Sequence, residues 1–283
     1  MLSTVSTRIA VLMACYNRRD KTVACLEHLT IAAGRSGIDY RLFLFDDGST
    51  DGTAEAVRAI EPDAVIMRGD GSYFWNRSMN RAFEAAMQEG FPAYLWLNDD
   101  TMLRPEAIDL LLAARDSAAP REVIVVGAIS DPEGGHTTYG GWRYVEPRFR
   151  PFLARLLDPT DRPQEVDVIN GNVVLIQDGV ARKLGNLDPV FEHGMGDTDY
   201  SKRARKLGIR VLLTAGYVGA CSRNPLEGTH RDKALPLPQR VRQIFSRKGL
   251  PWRSWLTMCW RHGGVLWPVH FLWGYAKVIL GRA

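Results

Sequence analysis

The stretch Ala93-Tyr94-Leu95-Trp96-Leu97-Asn98-Asp99-Asp100 decides how this chain is read. Five apolar residues of strand length, without polar alternation, predict a strand buried on both faces, near the centre of a sheet covered on both sides. It stops abruptly at three polar residues. Outward toward the N-terminus, Ile9 to Cys15, Arg41 to Phe45 and Ala64 to Met67 read as further strands. Arg19 to Ala33, Thr53 to Ile60 and Phe74 to Glu89 read as the helices between them. This β-α-β-α rhythm predicts an α/β fold, a Rossmann-like, mostly parallel sheet sandwiched by helices. Toward the C-terminus the pattern is less regular. Val123 to Ile129 is a strand, Pro147 to Pro163 a variable loop or short helix, and Val166 to Ile176 a β-rich run interrupted by Asn170-Gly171-Asn172. Asp178 to Leu184 and Asp199 to Leu207 read as helices, and Ile209 to Leu213 as strand. The expected organisation is one domain over 1–231 and a helical C-terminal appendage over 232–283.

With 46% hydrophobic and 24% charged residues in 283, the composition excludes wholesale disorder, collagen-like repeats and coiled coil. The formal charge of +4 hides a split. From Lys233 onward there are nine Lys and Arg and no acid, which leaves 27 basic against 32 acidic residues, net −5, in residues 1–232. The four cysteines form no C-x-x-C pair, so neither a zinc site nor a disulfide framework is indicated and a reducing, cytoplasmic setting is expected. The run ending Leu12-Met13-Ala14-Cys15 superficially resembles a lipoprotein cleavage site. Its apolar stretch of about seven residues is at the floor for a signal segment, so it is read as the first strand.

In open α/β sheets ligands sit outside the carboxyl ends of the strands. The polar clusters fall there: Tyr16-Asn17-Arg18, Asp46-Asp47, Gly69-Asp70-Gly71 and Asn98-Asp99-Asp100. A carboxylate at Asp46 or Asp47 can accept from a ribose hydroxyl or a base N–H. The same residues also suit a tight turn, with Ser49 or Thr50 capping the next helix. Neither G-x-G-x-x-G nor G-x-x-x-x-G-K-[ST] is present, which disfavours a dinucleotide site and a P-loop. Acids directly after a buried strand, as at Asp99 and Asp100, suit a hard cation shared with a substrate phosphate, the alternative again being a turn. Asp197 and Asp199, two apart, cannot share one helix face. Asp199 in a first turn suits the helix dipole, and Asp197 on a Gly-flanked approach suits a general base. Trp75, and with less weight Trp142, either stacks on a sugar face or packs against the sheet.

Taken in order, Asp46-Asp47-Gly48-Ser49-Thr50-Asp51, Asn98-Asp99-Asp100 and Gly196-Asp197-Thr198-Asp199 resemble the motifs of family 2 glycosyltransferases with the GT-A fold, of the rhamnosyltransferase-like, polysaccharide-biosynthesis type. Ala14-Cys15-Tyr16-Asn17-Arg18 is similar to that family's opening P-T-Y-N-R, and Asn80 in Ser78-Met79-Asn80 to its A-R-N helix. The resemblance spans about residues 8 to 231. It implies inverting transfer of a sugar from a nucleotide-diphosphate donor, UDP- or dTDP-linked, with Mn²⁺ or Mg²⁺ at the D-x-D element. It further implies that Ala14, Tyr16, Asn17, Arg18, Asp46, Asp47, Gly69, Asn80, Asn98 and Asp99 serve the donor. Asp100 matches the metal-binding acid, His230 a late histidine that completes the metal shell in some relatives, and Asp197 the catalytic base. Trp75, Trp142 and Asp199 are the acceptor-side candidates. Asn98 and Gly196 depart from the pattern, standing where the family has an aspartate and a glutamate. The departures keep open a non-catalytic nucleotide-sugar-binding or scaffold protein on the same fold. A sugar-phosphate nucleotidyltransferase would want a Gly-rich first loop, which is absent.

The appendage carries five of the eight tryptophans. The apolar run from Gly263 to Leu280, about eighteen residues, is near the lower limit for a spanning helix and contains Pro268, His270 and Lys277. Trp with Lys and Arg is the signature of an interfacial segment on an anionic leaflet. Residues 240–283 are therefore expected to dock on the inner face of the plasma membrane, a helical lid or homodimer contact being the other uses. The acceptor would be a growing, lipid-linked bacterial glycan such as an O-antigen precursor. No nucleic-acid-binding motif accompanies the charge.

Overall fold

The computed structural model describes residues 8–146 and 150–281. Its first half follows the expected rhythm: β1 (Arg8–Cys15), α1 (Arg19–Ser36), β2 (Asp39–Asp46), α2 (Thr53–Ile60), β3 (Val65–Arg68), α3 (Phe74–Glu89) and β4 (Ala93–Leu97). The second half is busier. It runs β5 (Met102–Leu103), α4 (Ala107–Asp116), β6 (Val123–Ser130), β7 (Thr137–Tyr139), β8 (Gly141–Tyr144), β9 (Ala154–Leu156), β10 (Gln164–Glu165), β11 (Val168–Ile169), β12 (Val173–Gln177), α5 (Asp178–Leu184), α6 (Gly196–Lys206) and β13 (Arg210–Ala220). The appendage supplies α7 (Leu237–Ile244), α8 (Trp252–His262), a 3₁₀ turn at Gly264–Leu266, and α9 (Trp267–Ile279).

The main sheet is ordered β10-β13-β6-β12-β4-β1-β2-β3, which places β4 inside it as its unbroken apolar run predicts. The β4-β1-β2-β3 half is parallel throughout. Side chains alternate between two cores, as a strand's period of two requires. Leu95 and Leu97 face one core with α1 and α4, while Tyr94 and Trp96 face the other with α3, α5 and α6. Each fully buried apolar side chain of this kind contributes about 1.5–3 kcal/mol. The α/β sandwich expected from the N-terminal half is thus the observed fold.

One reversal shapes the site. β12 runs antiparallel to both β4 and β6, with Val173 opposite Leu97. The start of β12 therefore lies beside the end of β4, and the Asn98 N–H donates to the Asn172 carbonyl at 2.9 Å. The Asn170-Gly171-Asn172 interruption is brought to the same rim as Asn98-Asp99-Asp100.

Several boundaries differ from expectation. The described part of 147–163 holds strand β9 and no helix, and 147–149 lie outside the described residues. Helix α6 begins at Gly196, three residues early, because Met195 takes a left-handed φ of 74° and lets the next residue turn at once into helix. Asp197 is consequently inside the first turn, not on an approach to it. The last strand extends to Ala220 through irregular register beside β6.

The appendage is not a separate tail. Trp255, Met258 and Cys259 of α8 share a buried cluster with Phe191, against which Phe152, Val190 and Met195 also pack. Ser254 donates to the Val190 carbonyl at 2.9 Å. The apolar run after Gly263 is broken by the 3₁₀ turn, where Gly264 has φ 61°. Among the described residues no helix is long and apolar enough to cross a membrane.

Candidate active site

The rim where the strand ends meet forms a cleft of about 580 Å³. Ala14, Tyr16, Arg18, Asp47, Trp75, Asn98, Asp99, Asp100 and Asp197 all line it. Asn17, Phe74 and Met195 are the non-glycine residues with positive φ among those described, and all three lie in or directly beside this wall. Strained backbone of this kind clusters at functional sites.

At the first strand end, Asn17 ties two loops together. Its N–H donates to Ser49 Oγ at 2.9 Å and its Oδ1 accepts the Thr50 N–H at 2.8 Å. Asp46 is buried and accepts the Ser49 N–H at 2.8 Å, which is the turn role. Asp47 is the member of the pair that reaches the cleft, where its carboxylate accepts N–H groups of Gly71, Tyr73 and Phe74. Gly69 lies behind it: a Cβ there would meet Asp47 Oδ1 at 2.5 Å, so the backbone passes where no larger residue fits.

At the second strand end, Asn98 Oδ1 accepts the Trp75 indole N–H at 2.7 Å, so its amide oxygen is already engaged. Arg18 Nη1 bridges the two acids, 3.1 Å from Asp99 Oδ1 and 2.8 Å from Asp100 Oδ2. Cys221 Sγ lies 3.6 Å from Asp100 Oδ1. Burial, with the neighbouring Asp100 adding to it, pushes Asp99 up to about 7 against the pull of Arg18. The Oδ2 atom of Asp99 is buried and has no hydrogen-bond partner.

Asp197 lines the same cleft from the first turn of α6. Its Oδ2 accepts the Gly171 N–H at 3.0 Å and its Oδ1 the Thr198 N–H at 2.7 Å. Burial holds its carboxyl above the usual range, although these N–H groups oppose the shift. No basic side chain pairs with it among the described residues. Trp75 joins the two sides of the cleft: its ring sits where a Cβ on Gly171 would approach within 2.3 Å, while its N–H reaches Asn98. Gly196, in place of the family's glutamate, has an equally local cause. A Cβ there would lie 1.6 Å from Asn76 Oδ1, and Asn76 is fully buried with its amide fixed to the Asp188 and Phe191 carbonyls.

Asn17, Asp46 and Gly69 stand behind the lining, in the turn and packing roles given above, and four further expected site residues are not brought to the cleft either. Asn80 donates to the Leu187 carbonyl at 2.7 Å and accepts from Asn186 on its own carbonyl, which makes it a tie between α3 and the 186–187 loop. Trp142 donates to Asn170 Oδ1 at 2.7 Å, supporting a lining residue from behind. Asp199 is wholly buried, with Arg203 Nε at 2.7 Å, His262 Nε2 at 2.9 Å and Arg261 Nη1 at 3.3 Å. It locks the appendage onto α6 and is not open to an acceptor. His230 is half-buried, and burial together with Arg231, Arg240 and Lys277 presses it down to about 4, a cationic setting opposite to that of a metal shell.

Other lining residues carry no assignment from the sequence, among them Asn170, Gly171, His193 and Lys248. The interruption at 170–172 is visible as a motif, but nothing in it says which rim it joins. Lys248 comes from the α7–α8 connection, which only tertiary packing brings near. His193 is held below the usual histidine range, first by burial and then by Lys248 and Arg18.

With this geometry the comparisons with known proteins agree. The chain belongs to glycosyl transferase family 2, whose profile matches residues 10–180. It is 26% identical over 232 residues to an N-acetylglucosaminyl-diphospho-decaprenol L-rhamnosyltransferase of Mycobacterium tuberculosis, found in strains CDC 1551 / Oshkosh and ATCC 25618 / H37Rv, the match covering 72% of this chain and 73% of that protein. Among solved structures, S. aureus TarS 1–349 shares the fold at a TM-score of 0.54 and 10% identity, covering 98% of this chain and 72% of that one. A second S. aureus TarS structure matches with a TM-score of 0.54 over 89% of this chain and 42% of its own. The protein is a glycosyltransferase of the GT-A fold.

Proposed function

We propose that this enzyme transfers one sugar, rhamnose before others, from a UDP- or dTDP-sugar to a hydroxyl of a lipid-linked glycan that begins with a diphosphate-bridged N-acetylglucosamine. The donor and acceptor classes rest on the mycobacterial relative, whose name gives an L-rhamnosyl donor group and a diphospho-decaprenol acceptor. The single observation that carries the reaction is Asp197, a carboxylate on the cleft wall held by two N–H groups, in the same cleft as Asp99 and Asp100. A group that takes a proton near neutral pH works best with a pKa raised toward that range, which supports Asp197 as the base. It accepts the proton of the acceptor hydroxyl as that oxygen bonds to the anomeric carbon and the bond from that carbon to the donor diphosphate breaks on the opposite face, so this single displacement inverts the configuration. Tyr16, Asp47 and Arg18 line the donor end, and Trp75 offers a ring between donor and acceptor.

The residues fit a divalent cation that arrives with the diphosphate. Asp99 Oδ2 is buried without a partner, and Asp100 adds a second carboxylate. Among the described residues no group of three or more His, Cys, Asp or Glu is gathered for a metal, so diphosphate oxygens and water must complete the shell, as Mg²⁺ commonly requires. Asp99 and Asp100 would hold the ion, with Asn98 engaged by Trp75. A bound Mn²⁺ or Mg²⁺ supplies charge neutralisation for the departing diphosphate. Arg18, already on both acids, adds positive charge at that point.

The outer surface of the appendage supports docking on the inner face of the plasma membrane. Val265 is 96% exposed, Trp260 67% and Leu272 65%, on helices that carry basic and no acidic residues. The Asn98 and Gly196 departures trace to contacts with Trp75 and Asn76, which leave the cleft intact and favour an enzyme over a non-catalytic binder.

The test is direct incubation with dTDP-rhamnose, UDP-sugars and GDP-sugars, a short-chain lipid diphosphate-N-acetylglucosamine acceptor, and Mn²⁺ or EDTA. Formation of a product of inverted anomeric configuration, read by NMR, is expected with dTDP-rhamnose and lost with EDTA. Retention of configuration, or no transfer from any donor, would sink the assignment.

A further inference from the structure

Two basic side chains, Arg18 and Lys248, line the cleft together with His193. Arg18 is taken up by Asp99 and Asp100. Lys248 is exposed, lines the cleft and makes no hydrogen bond or ion pair with any described residue, so its ammonium is open to a ligand there. Its backbone is nonetheless firmly held. In the turn that carries it, the Gly249 N–H donates to the Ser246 carbonyl at 2.9 Å and Ser246 Oγ to the Gln243 carbonyl at 2.7 Å. The Leu250 carbonyl accepts Tyr275 Oη at 3.0 Å. The preceding Arg247 pairs with Glu192 at 2.9 Å and lies 4.5 Å over the Phe74 ring. This clamp sets Lys248 beside the 192–197 segment that leads to Asp197.

The same loop opens onto the apolar outside of the appendage. Phe245, three residues before Lys248, and Trp252, four residues after it, are both more than half exposed. Four residues of chain reach at most about 14 Å. A residue that lines the same cleft as Asp197 thus lies within about 14 Å of chain of two exposed aromatic side chains, and its loop links the cleft to that apolar surface. An acceptor whose sugar hydroxyl must reach Asp197 while its polyprenyl chain stays in a bilayer has to pass its diphosphate between the two.

We propose that Lys248 is the acceptor-side anion contact, recognising the diphosphate that joins the acceptor sugar to its lipid, distinct from the donor diphosphate at Asp99, Asp100 and Arg18. This rests on the lipid-linked acceptor reading above. A lysine suits the task because an ammonium on a long stem meets a flexible diphosphate as a point charge, without fixed bidentate geometry.

The test compares wild type, Lys248→Ala and Lys248→Arg with a short-chain lipid diphosphate-N-acetylglucosamine as acceptor. Lys248→Ala is expected to raise KM for this acceptor about tenfold or more, the loss typical of one charge-assisted contact. Its kcat and calorimetric affinity for the donor nucleotide should change by less than about twofold and its melting temperature should not shift, and Lys248→Arg should recover most of the acceptor affinity. An unchanged KM overturns the proposal. So does an equal loss of nucleotide affinity, which would move Lys248 to the donor, or an Arg variant as poor as Ala, which would make its role structural. If wild type fails to glycosylate the diphosphate-linked acceptor at all, the acceptor reading itself falls, whatever the variants do.

Discussion

The space above Gly196 is filled by the amide of Asn76, and that single contact governs what the turn carrying Asp197 tolerates. Restoring the family's acid as Gly196→Glu pushes a larger, charged side chain against a fully buried, doubly bonded asparagine. We expect a loss of about 3 kcal/mol in stability and no gain in turnover. Thermal unfolding read beside activity decides it, and a more active, equally stable variant would refute the steric account. Asp197→Asn keeps the shape and removes the proposed base. It should lower kcat by about 10²–10⁴, the usual worth of a positioned base, with nucleotide affinity nearly unchanged in calorimetry. Because burial raises the Asp197 carboxyl, the enzyme should lose kcat/KM on acidification at a pH above the ordinary carboxylate range, as the base becomes protonated. An acid limb lying wholly below pH 4 would argue for another group.

Among the elements, α6 and α8 meet at one buried carboxylate. Burial alone would raise Asp199, but its bonds to His262 and Arg203 overcome this and hold it below the usual range. A group whose folded value is depressed contributes stability that is present above its unfolded pKa and is lost as pH falls through the folded value. The contribution is therefore intact at neutral pH and disappears only in acid below the ordinary carboxylate range. Asp199→Asn should cost about 2 kcal/mol, less than the ~3–5 kcal/mol of a fully buried pair because Arg203 and Arg261 remain partly solvated. Differential scanning calorimetry at pH 7 measures it, and an unchanged melting temperature would show the cluster to be idle. These partners explain what the sequence could and could not reveal. The apolar runs of β1, β2 and β4 and the helices between them are local signals, and their order predicts the sheet. Asp47, Asp99, Asp100 and Asp197 follow because strand ends and helix starts are also local. Which of Asp46 and Asp47 turns inward, why Asn80 faces away from the cleft, and that His262 and Arg261 reach Asp199 across more than sixty residues all depend on packing, to which no local pattern is sensitive. Helix α4 was open to a local reading, since Ala107, Ile108, Leu111 and Ala114 fall at helical spacing, whereas β7 and β8 are too short to carry a period.

For the molecule as a whole, the appendage presents a buried face to the catalytic body and an apolar, basic face outward. Removing residues 240–283 would therefore test stability and location together, since it strips Trp255 and Met258 from their cluster and Arg261 and His262 from Asp199. A cleaner variant is Trp260→Ser with Leu272→Ser and Trp273→Ser, all at exposed positions. If the face docks as proposed, wild type sediments with phosphatidylglycerol vesicles and is released as salt rises, while the triple variant stays in solution with an unchanged melting temperature. Equal sedimentation of both would end the docking proposal. The Asp199 clamp also carries a consequence for synthesis. Translation delivers α6 before the partners that lock it, which follow at residues 261 and 262. A growing polypeptide has its catalytic helix without its lock until the appendage leaves the ribosome. The segment that completes the lock is the one proposed to dock on the bilayer, so the same stretch of synthesis would finish the α6 lock and supply the membrane address.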